Sequence, residues 1–262
     1  MIRFVEFTKD VFNSFLKALF PKNLSCLICK KELNEGVFSV CSECYKKLPF
    51  IEGKICAVCG RPLSNLSDYC LRCKNEQIFY KRAVSVFVYD DIIKKLIYRY
   101  KKNGEQYLSE FFAGCLIQKY AVLDFECDIA FYVPIHKNVL KRRGFNQSKV
   151  LCDIFCASYN LPVSNDNLVK VKDTGQQKAL NKADRIKNLE KSFKVKFKEE
   201  VKGKNILLID DIMTTGATAN ECAKVLESAG AKNVYVLTLA TVVLDIAFEE
   251  NVDNEALKLK SL

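Results

Sequence analysis

A single histidine, His136, is the sharpest scarcity in this chain of 262 residues. It excludes any multi-histidine metal site and leaves Ser-His-Asp chemistry one candidate base. No Gly-Lys-Ser/Thr sequence occurs: Gly203-Lys204 runs into Asn205, and position 198 is Lys. A G-x-G-x-x-G fingerprint is also missing, so neither a P-loop nor a dinucleotide-binding turn is expected. No window holds about 18 uninterrupted apolar residues, so no membrane span is expected. The first twenty residues lack the apolar core of a signal peptide. Phe4, Val11, Phe15 and Leu19 alternate with Glu6, Lys9, Asp10 and Lys17, which predicts an amphipathic helix over 1–20. Its apolar side is expected to pack on the body, with the inner face of the membrane as the alternative; a cytoplasmic protein is expected either way.

Hydrophobic residues make up 49% and charged residues 27%, enough for one sizeable core plus a small module. The net charge of +10 is unevenly placed. Lys170 to Lys198 carries ten Lys/Arg against three Asp/Glu, whereas Glu199 onward carries six against eleven. A basic stretch beside an acidic lobe suits a polyanionic ligand or nucleic acid; a solvated lysine face is the alternative.

Eight of the thirteen cysteines form four C-x2-C pairs: Cys26/Cys29, Cys41/Cys44, Cys56/Cys59 and Cys70/Cys73. Eleven residues separate the first two pairs and ten the last two. This near-repeat predicts tandem zinc ribbons over 21–80, each closing a structural four-thiolate Zn2+ site. Sequential pairing, 26/29/41/44 and 56/59/70/73, is expected because it closes the shorter loops; cross-braced pairing is the alternative. A disulfide framework would need an oxidising compartment. Backbone N–H groups around Lys30, Gly60 and Arg61 are placed to stabilise thiolates. Cys115, Cys127, Cys152, Cys156 and Cys222 sit among apolar residues and read as small core side chains.

From Ala83 the pattern becomes α/β. Strands are predicted at Ala83–Tyr89, Asp128–Val133, Ile206–Asp210 and Val234–Ala240. Helices are predicted at Ile92–Tyr100, Tyr107–Tyr120 and Phe145–Tyr159. Such alternation implies a parallel sheet with ligands at the carboxyl ends of its strands. The domain is expected over 81–242, followed by an unassigned tail at 243–262.

Three segments carry chemistry. In the first, the apolar run Ile206–Ile209 ends in Asp210-Asp211, then Ile212-Met213-Thr214-Thr215-Gly216-Ala217-Thr218. Thr218 and Glu221 predict a capping box opening a helix, whose N-terminus would bind an anion. Two adjacent carboxylates repel each other unless a cation or donor compensates. Acids for ribose hydroxyls beside amides for its phosphate point to a phosphorylated sugar. A Walker B strand lacks its P-loop here, and a capped turn without ligand is the plain alternative. The second segment, Val133 to Ser148, places His136, Lys137, Lys141, Arg142 and Arg143 before Gly144, a pyrophosphate cradle in which guanidinium forks suit phosphate oxygens. His136 is either a phosphate donor, a general acid or a hydrogen-bonded loop residue. The third, Lys172 to Phe193 with Thr174, Gln177 and Arg185, reads as a closing flap or a surface linker.

Asp210-Asp211-Ile212-Met213-Thr214-Thr215-Gly216-Ala217-Thr218 resembles the phosphoribosyl-pyrophosphate (PRPP) motif of type I phosphoribosyltransferases. Adding V-P-x-H, R-R-G-F-N-Q-S, the spaced T-x-x-Q…L…R-x-x-N-x-x-x-x-F run and the four cysteine pairs, the chain is similar to the ComF family from about Cys26 to Ala240. That resemblance implies a Rossmann-like phosphoribosyltransferase domain behind the zinc-ribbon module. It implies Asp210 and Asp211 on the ribose, Thr214, Thr215, Gly216, Ala217 and Thr218 on the 5′-phosphate, and His136, Lys137, Arg142 and Arg143 beside the pyrophosphate. Thr174 and Gln177 would meet PRPP from the flap; Arg185, with the two aspartates, would serve catalysis. Lys170 or Lys172 stands where the family pattern suggests an arginine, and lysine loses the bidentate contact.

The resemblance implies a Mg2+-dependent phosphoribosyl transfer to an unnamed acceptor, linked to DNA uptake in competence. Residue 2 is Ile, not a nucleophilic Cys, so a complete glutamine-dependent amidotransferase is not expected. The competing expectation is a non-catalytic PRPP- or nucleotide-binding module that engages single-stranded DNA or a helicase. Phe193 and Phe197 are the only aromatics between Lys170 and Lys198, so such DNA binding would rest more on charge than on stacking.

Overall fold

The computed structural model describes residues 25–33, 36–64, 67–102, 105, 107–173 and 191–243. The expected helix over 1–20, the flap residues Thr174, Gln177 and Arg185, and the tail from 244 lie outside the described residues. The chain divides into two compact units, Met1–Leu48 and Pro49–Leu262.

In the first unit, β1 (Gly36–Val37) pairs antiparallel with β2 (Val40–Cys41), and α1 (Ser42–Tyr45) follows. The Cys26 N–H donates to Lys31 O at 2.8 Å and the Lys30 N–H to Cys26 O at 2.9 Å. The second unit opens with the same turn: Cys56 N–H to Arg61 O at 2.8 Å and Gly60 N–H to Cys56 O at 2.9 Å, followed by α2 (Leu71–Asn75). Lys30 and Gly60 hold the matching left-handed position, φ 62° and 67°. At Gly60 a side chain would also overlap the Ala83 carbonyl, so glycine is required twice over.

The body of the second unit is built on β3 (Arg82–Val88), α3 (Asp91–Lys102), α4 (Leu108–Tyr120), β4 (Ile129–Tyr132), α5 (Lys137–Arg143) and α6 (Gln147–Tyr159). A short antiparallel pair follows, β5 (Leu168–Lys170) with β6 (Phe193–Val195), and then β7 (Asn205–Met213), α7 (Ala217–Ser228) and β8 (Asn233–Thr241). The main sheet runs β3-β8-β7-β4, all parallel. Leu207, Leu208, Val236 and Leu237 are fully buried, as expected of parallel strands covered on both faces. α4 and α6 pack together and contact the sheet, and α3 packs on α4. On the other side, Cys56, Cys59 and Tyr80 share a core with Phe131, Leu208, Met213 and Cys222.

Four expected strands and three expected helices are present, with shifted ends. β7 continues through Asp210 and Asp211 to Met213, where the sequence suggested an end at Asp210, because Ile212 and Met213 still pair with Ala240 and Thr241 of β8. α6 starts at Gln147 rather than Phe145, since Asn146 caps it by accepting the Ser148 N–H at 3.0 Å. The basic run read from the sequence as a pyrophosphate cradle is the helix α5, capped by His136 and ended by Gly144 at φ 83°. The β5–β6 pair had no sequence forecast; it joins the two described ends of the segment expected as a flap.

Candidate functional site

Asp210 and Asp211 lie at the carboxyl end of the central strand β7, each 5% exposed. Buried carboxylates need partners, and each has several. Asp210 Oδ1 accepts the Ser148 hydroxyl at 2.9 Å and the Asp211 N–H at 2.9 Å. Asp211 Oδ1 accepts the Ile212 N–H at 2.7 Å. Asp211 Oδ2 forms an ion pair with the ammonium of Lys101, which is 3% exposed. The compensation that two adjacent acids require is therefore built into the chain.

Lys101 was not foreseen as a site residue, although its signal was there. Ile93, Leu96, Ile97, Tyr100 and Lys101 are the buried residues of α3. Lys101 thus continues an i, i+3, i+4 apolar stripe, where a lysine needs an acid to meet. Its neighbour Tyr100 donates from its hydroxyl to the Gln147 carbonyl at 3.2 Å, and burial, with Asp211 nearby, pushes its phenol up.

Arg143 Nη1 donates to Gln147 Oε1 at 2.5 Å. Burial lowers the Arg143 pKa while the Asp211 charge opposes that fall, so the guanidinium lies in the field of Asp211. Arg143 Nε and Nη2 and Gln147 Nε2 are buried without a hydrogen-bond partner. Three buried donors without partners, with Arg143 in the field of Asp211, suit an anionic ligand. Lys137 and Arg142, by contrast, are exposed on α5. His136 Nδ1 accepts the Asn138 N–H at 3.3 Å, and Asn138 Nδ2 donates to Asp173 Oδ2 at 2.9 Å. His136 is thus the helix cap, and it also lies 3.3 Å from Asp173. The Val133 N–H donates to Ile209 O at 2.9 Å, so the chain leaving β4 begins beside Asp210.

Thr214, Thr215 and Gly216 turn from β7 into α7. Gly216 at φ 79° is the N-cap. This corrects the capping box: Thr218 lies inside the helix, and Glu221 Oε1 accepts the Lys191 N–H at 3.1 Å. Thr215 Oγ1 accepts the Ala217 N–H at 3.3 Å. The turn is also held from the second ribbon, where Arg61 Nη2 donates to Thr214 O at 2.6 Å. Arg61 and Arg72 were missed as site neighbours because the sequence offers no hint of contacts across such a separation.

The cysteine sulfurs gather as Cys26, Cys29, Cys41 and Cys44, and as Cys56, Cys59, Cys70 and Cys73, each group within 4.8 Å. This is the sequential pairing. The Ile28 and Cys41 N–H groups donate to Cys26 Sγ, and the Cys70 N–H to Cys56 Sγ, each at 3.4 Å. Four convergent sulfurs with amide support fit structural Zn2+. Cys152 and Cys156 lie 3.8 Å apart, with no third metal cluster among the described residues.

The double zinc ribbon domain family matches residues 15–74, and the phosphoribosyl transferase domain family matches residues 141–262. The chain is 27% identical to Competence protein F of Haemophilus influenzae, over 83% of this chain and 97% of that protein. It is 28% identical to Competence protein ComFC of Bacillus subtilis, over 82% and 94% of the two chains. The chain is similar to the ComF competence proteins over most of its length. Within that family likeness, DNA utilization protein YhgH of Escherichia coli K12 is 26% identical, over 82% and 95%. Among solved structures, the glutamine PRPP amidotransferase of B. subtilis is 21% identical with a TM-score of 0.33, covering 48% of this chain; the chain spans a quarter (25%) of that protein. The purine phosphoribosyltransferase of Pyrococcus horikoshii is 14% identical with a TM-score of 0.31, covering 50% and 71%. The fold assignment rests on the parallel sheet and the two domain families: a phosphoribosyltransferase-type α/β domain with a zinc-ribbon module. No helix among the described residues is long and apolar enough to cross a membrane.

Proposed function

We propose that this ComF-like chain binds PRPP and transfers its phosphoribosyl group, with Mg2+, to an acceptor nucleophile in a process linked to DNA uptake. One observation carries the reading: two buried, hydrogen-bonded aspartates lie in the carboxyl-terminal part of the central parallel strand β7, which ends at Met213 before a glycine-capped turn into α7. Their oxygens suit the 2′- and 3′-hydroxyls of a ribose. The first turn of α7 offers N–H groups without intrahelical acceptors to a 5′-phosphate, with Thr214, Thr215 and Thr218 around it. Arg143, His136, Lys137 and Arg142 form the basic side for pyrophosphate, with Thr174, Gln177 and Arg185 arriving from the segment between β5 and β6.

Carboxylate oxygens are hard donors, and Mg2+ is characteristically held by one or two carboxylates plus substrate phosphates, so Asp210 and Asp211 fit it. When bound, the metal would neutralise charge on the departing pyrophosphate. Catalysis by this chain would then come from holding the sugar in place and stabilising charge at C1. The competence link rests on the names of the relatives. A melting experiment tests the binding reading: PRPP with Mg2+ raises the melting temperature of the wild type and not that of Asp210→Asn/Asp211→Asn. Equal shifts would remove the ribose assignment. Screening bases and amines for pyrophosphate release identifies the acceptor.

A further inference from the structure

Arg61 is 3% exposed and stands two residues after the zinc ligand Cys59. Its carbonyl accepts the Cys56 N–H at 2.8 Å, so the turn presenting Cys56 and Cys59 also fixes the Arg61 backbone. Its guanidinium reaches the Thr214 carbonyl at 2.6 Å. Arg72, between Cys70 and Cys73, meets the same turn. A Cβ on Gly216 would overlap Arg72 Nη1 and come within 3.5 Å of the Tyr80 hydroxyl. Glu76 anchors Arg72 Nε at 2.7 Å, and Arg72 Nη1 and the Tyr80 hydroxyl are both buried beside Gly216. The start of α7 is tied to the ribbon's exit as well. Asn220 Oδ1 accepts the Phe79 N–H at 2.8 Å, and Asn220 Nδ2 donates to Gln77 O at 3.0 Å.

A turn with a left-handed glycine has few conformational restraints of its own. Here its carbonyl and its glycine face are both held by side chains rooted in one cysteine site. We propose that the second zinc ribbon is a working part of the Thr214–Gly216 turn. Arg61 is a positioning residue that fixes the turn for phosphate, Arg72 and Tyr80 wall it from behind, and loss of that zinc loosens the turn and weakens phosphate binding. The link to phosphate rests on reading Thr214 to Thr218 as the 5′-phosphate loop. Because Arg61 holds the turn through a single charge-assisted hydrogen bond to a carbonyl, its removal should be felt locally rather than throughout the sheet.

Amide hydrogen exchange on the full chain tests this, comparing wild type, Arg61→Ala, Arg61→Lys and Cys73→Ser, with PRPP affinity measured in parallel. Exchange across residues 212–220 should accelerate at least about tenfold in Arg61→Ala, the scale of one lost charged hydrogen bond. The strand peptides at 129–133 and 234–240 should be unchanged. Arg61→Lys keeps a donor and should retain part of the protection. Cys73→Ser, with zinc loss confirmed by mass spectrometry, should loosen the same peptide. Unchanged exchange in Arg61→Ala, acceleration spread evenly over the sheet, or a tight turn in zinc-depleted Cys73→Ser each overturns the proposal. If the wild type binds PRPP and Arg61→Ala binds equally well, the proposal also fails. A wild type that binds no PRPP sinks the proposed function instead, and the exchange data still decide whether the ribbon holds the turn.

Discussion

The ammonium of Lys101 lies against the carboxylate of Asp211, with both side chains less than a tenth exposed. The two residues come from α3 and β7, and their meeting explains how Asp210-Asp211 can sit at a buried strand end. A lysine that completes an apolar helix stripe supplies the cation that the acid pair needs.

Breaking that pair should be costly. Lys101→Met leaves Asp211 buried without its counter-ion, and the expected loss is about 3–5 kcal/mol in urea unfolding. Adding Asp211→Asn in the same chain should recover a large part of it, because the uncompensated charge is gone. A loss below about 1 kcal/mol would mean that water reaches the acid pair.

Ser148 plays a smaller part. Ser148→Ala removes the hydroxyl that Asp210 accepts at 2.9 Å. The buried carboxylate keeps the Asp211 N–H, so the expected destabilisation is about 1–3 kcal/mol by denaturant titration. A neutral result would show that the hydroxyl is dispensable to Asp210.

Gly216→Ala tests the turn. The position has φ 79°, and a Cβ would push against Arg72. The left-handed conformation alone costs a non-glycine residue about 1–2 kcal/mol. Thermal unfolding should fall accordingly, and Arg72→Ala in the same chain should relieve the contact but not the backbone strain.

Acid should strip the first ribbon. Burial resists ionisation of Cys26, but N–H donors of Cys29, Cys41 and Ile28 outweigh it and lower the thiol to about 6. A depressed thiol contributes stability that is fully present above its unfolded value and is lost as pH falls through about 6. Zinc needs thiolates, so protonation releases it. A colorimetric zinc indicator should report release from this site on the acid side of neutrality; release under alkaline conditions would contradict the assignment.

Much of this architecture was legible because its signals are local. Ile206–Ile209 is a continuous apolar run of the kind a doubly covered parallel strand requires, and Asp210-Asp211 stands out at its end. The cysteine spacing fixed the ribbons, and the structure chose sequential pairing. What was not legible depends on distance in sequence. Arg61 and Thr214 are 153 positions apart, and nothing in either segment announces the other. Lys101 was hidden among the other lysines of α3, whose heads need no partner at the surface. The capping box was misplaced because Gly216, free to adopt a left-handed turn, takes the N-cap ahead of Thr218.

Asp210 and Asp211 are proposed to recognise a ribose 5-phosphate unit bearing pyrophosphate. Calorimetric titration of the full zinc-loaded chain with PRPP and Mg2+ tests it most directly. One binding event is expected in the wild type, with at least about a tenfold loss in Asp210→Asn/Asp211→Asn, the equivalent of ~1.4 kcal/mol. No heat in the wild type, or equal affinity in the double variant, would contradict it.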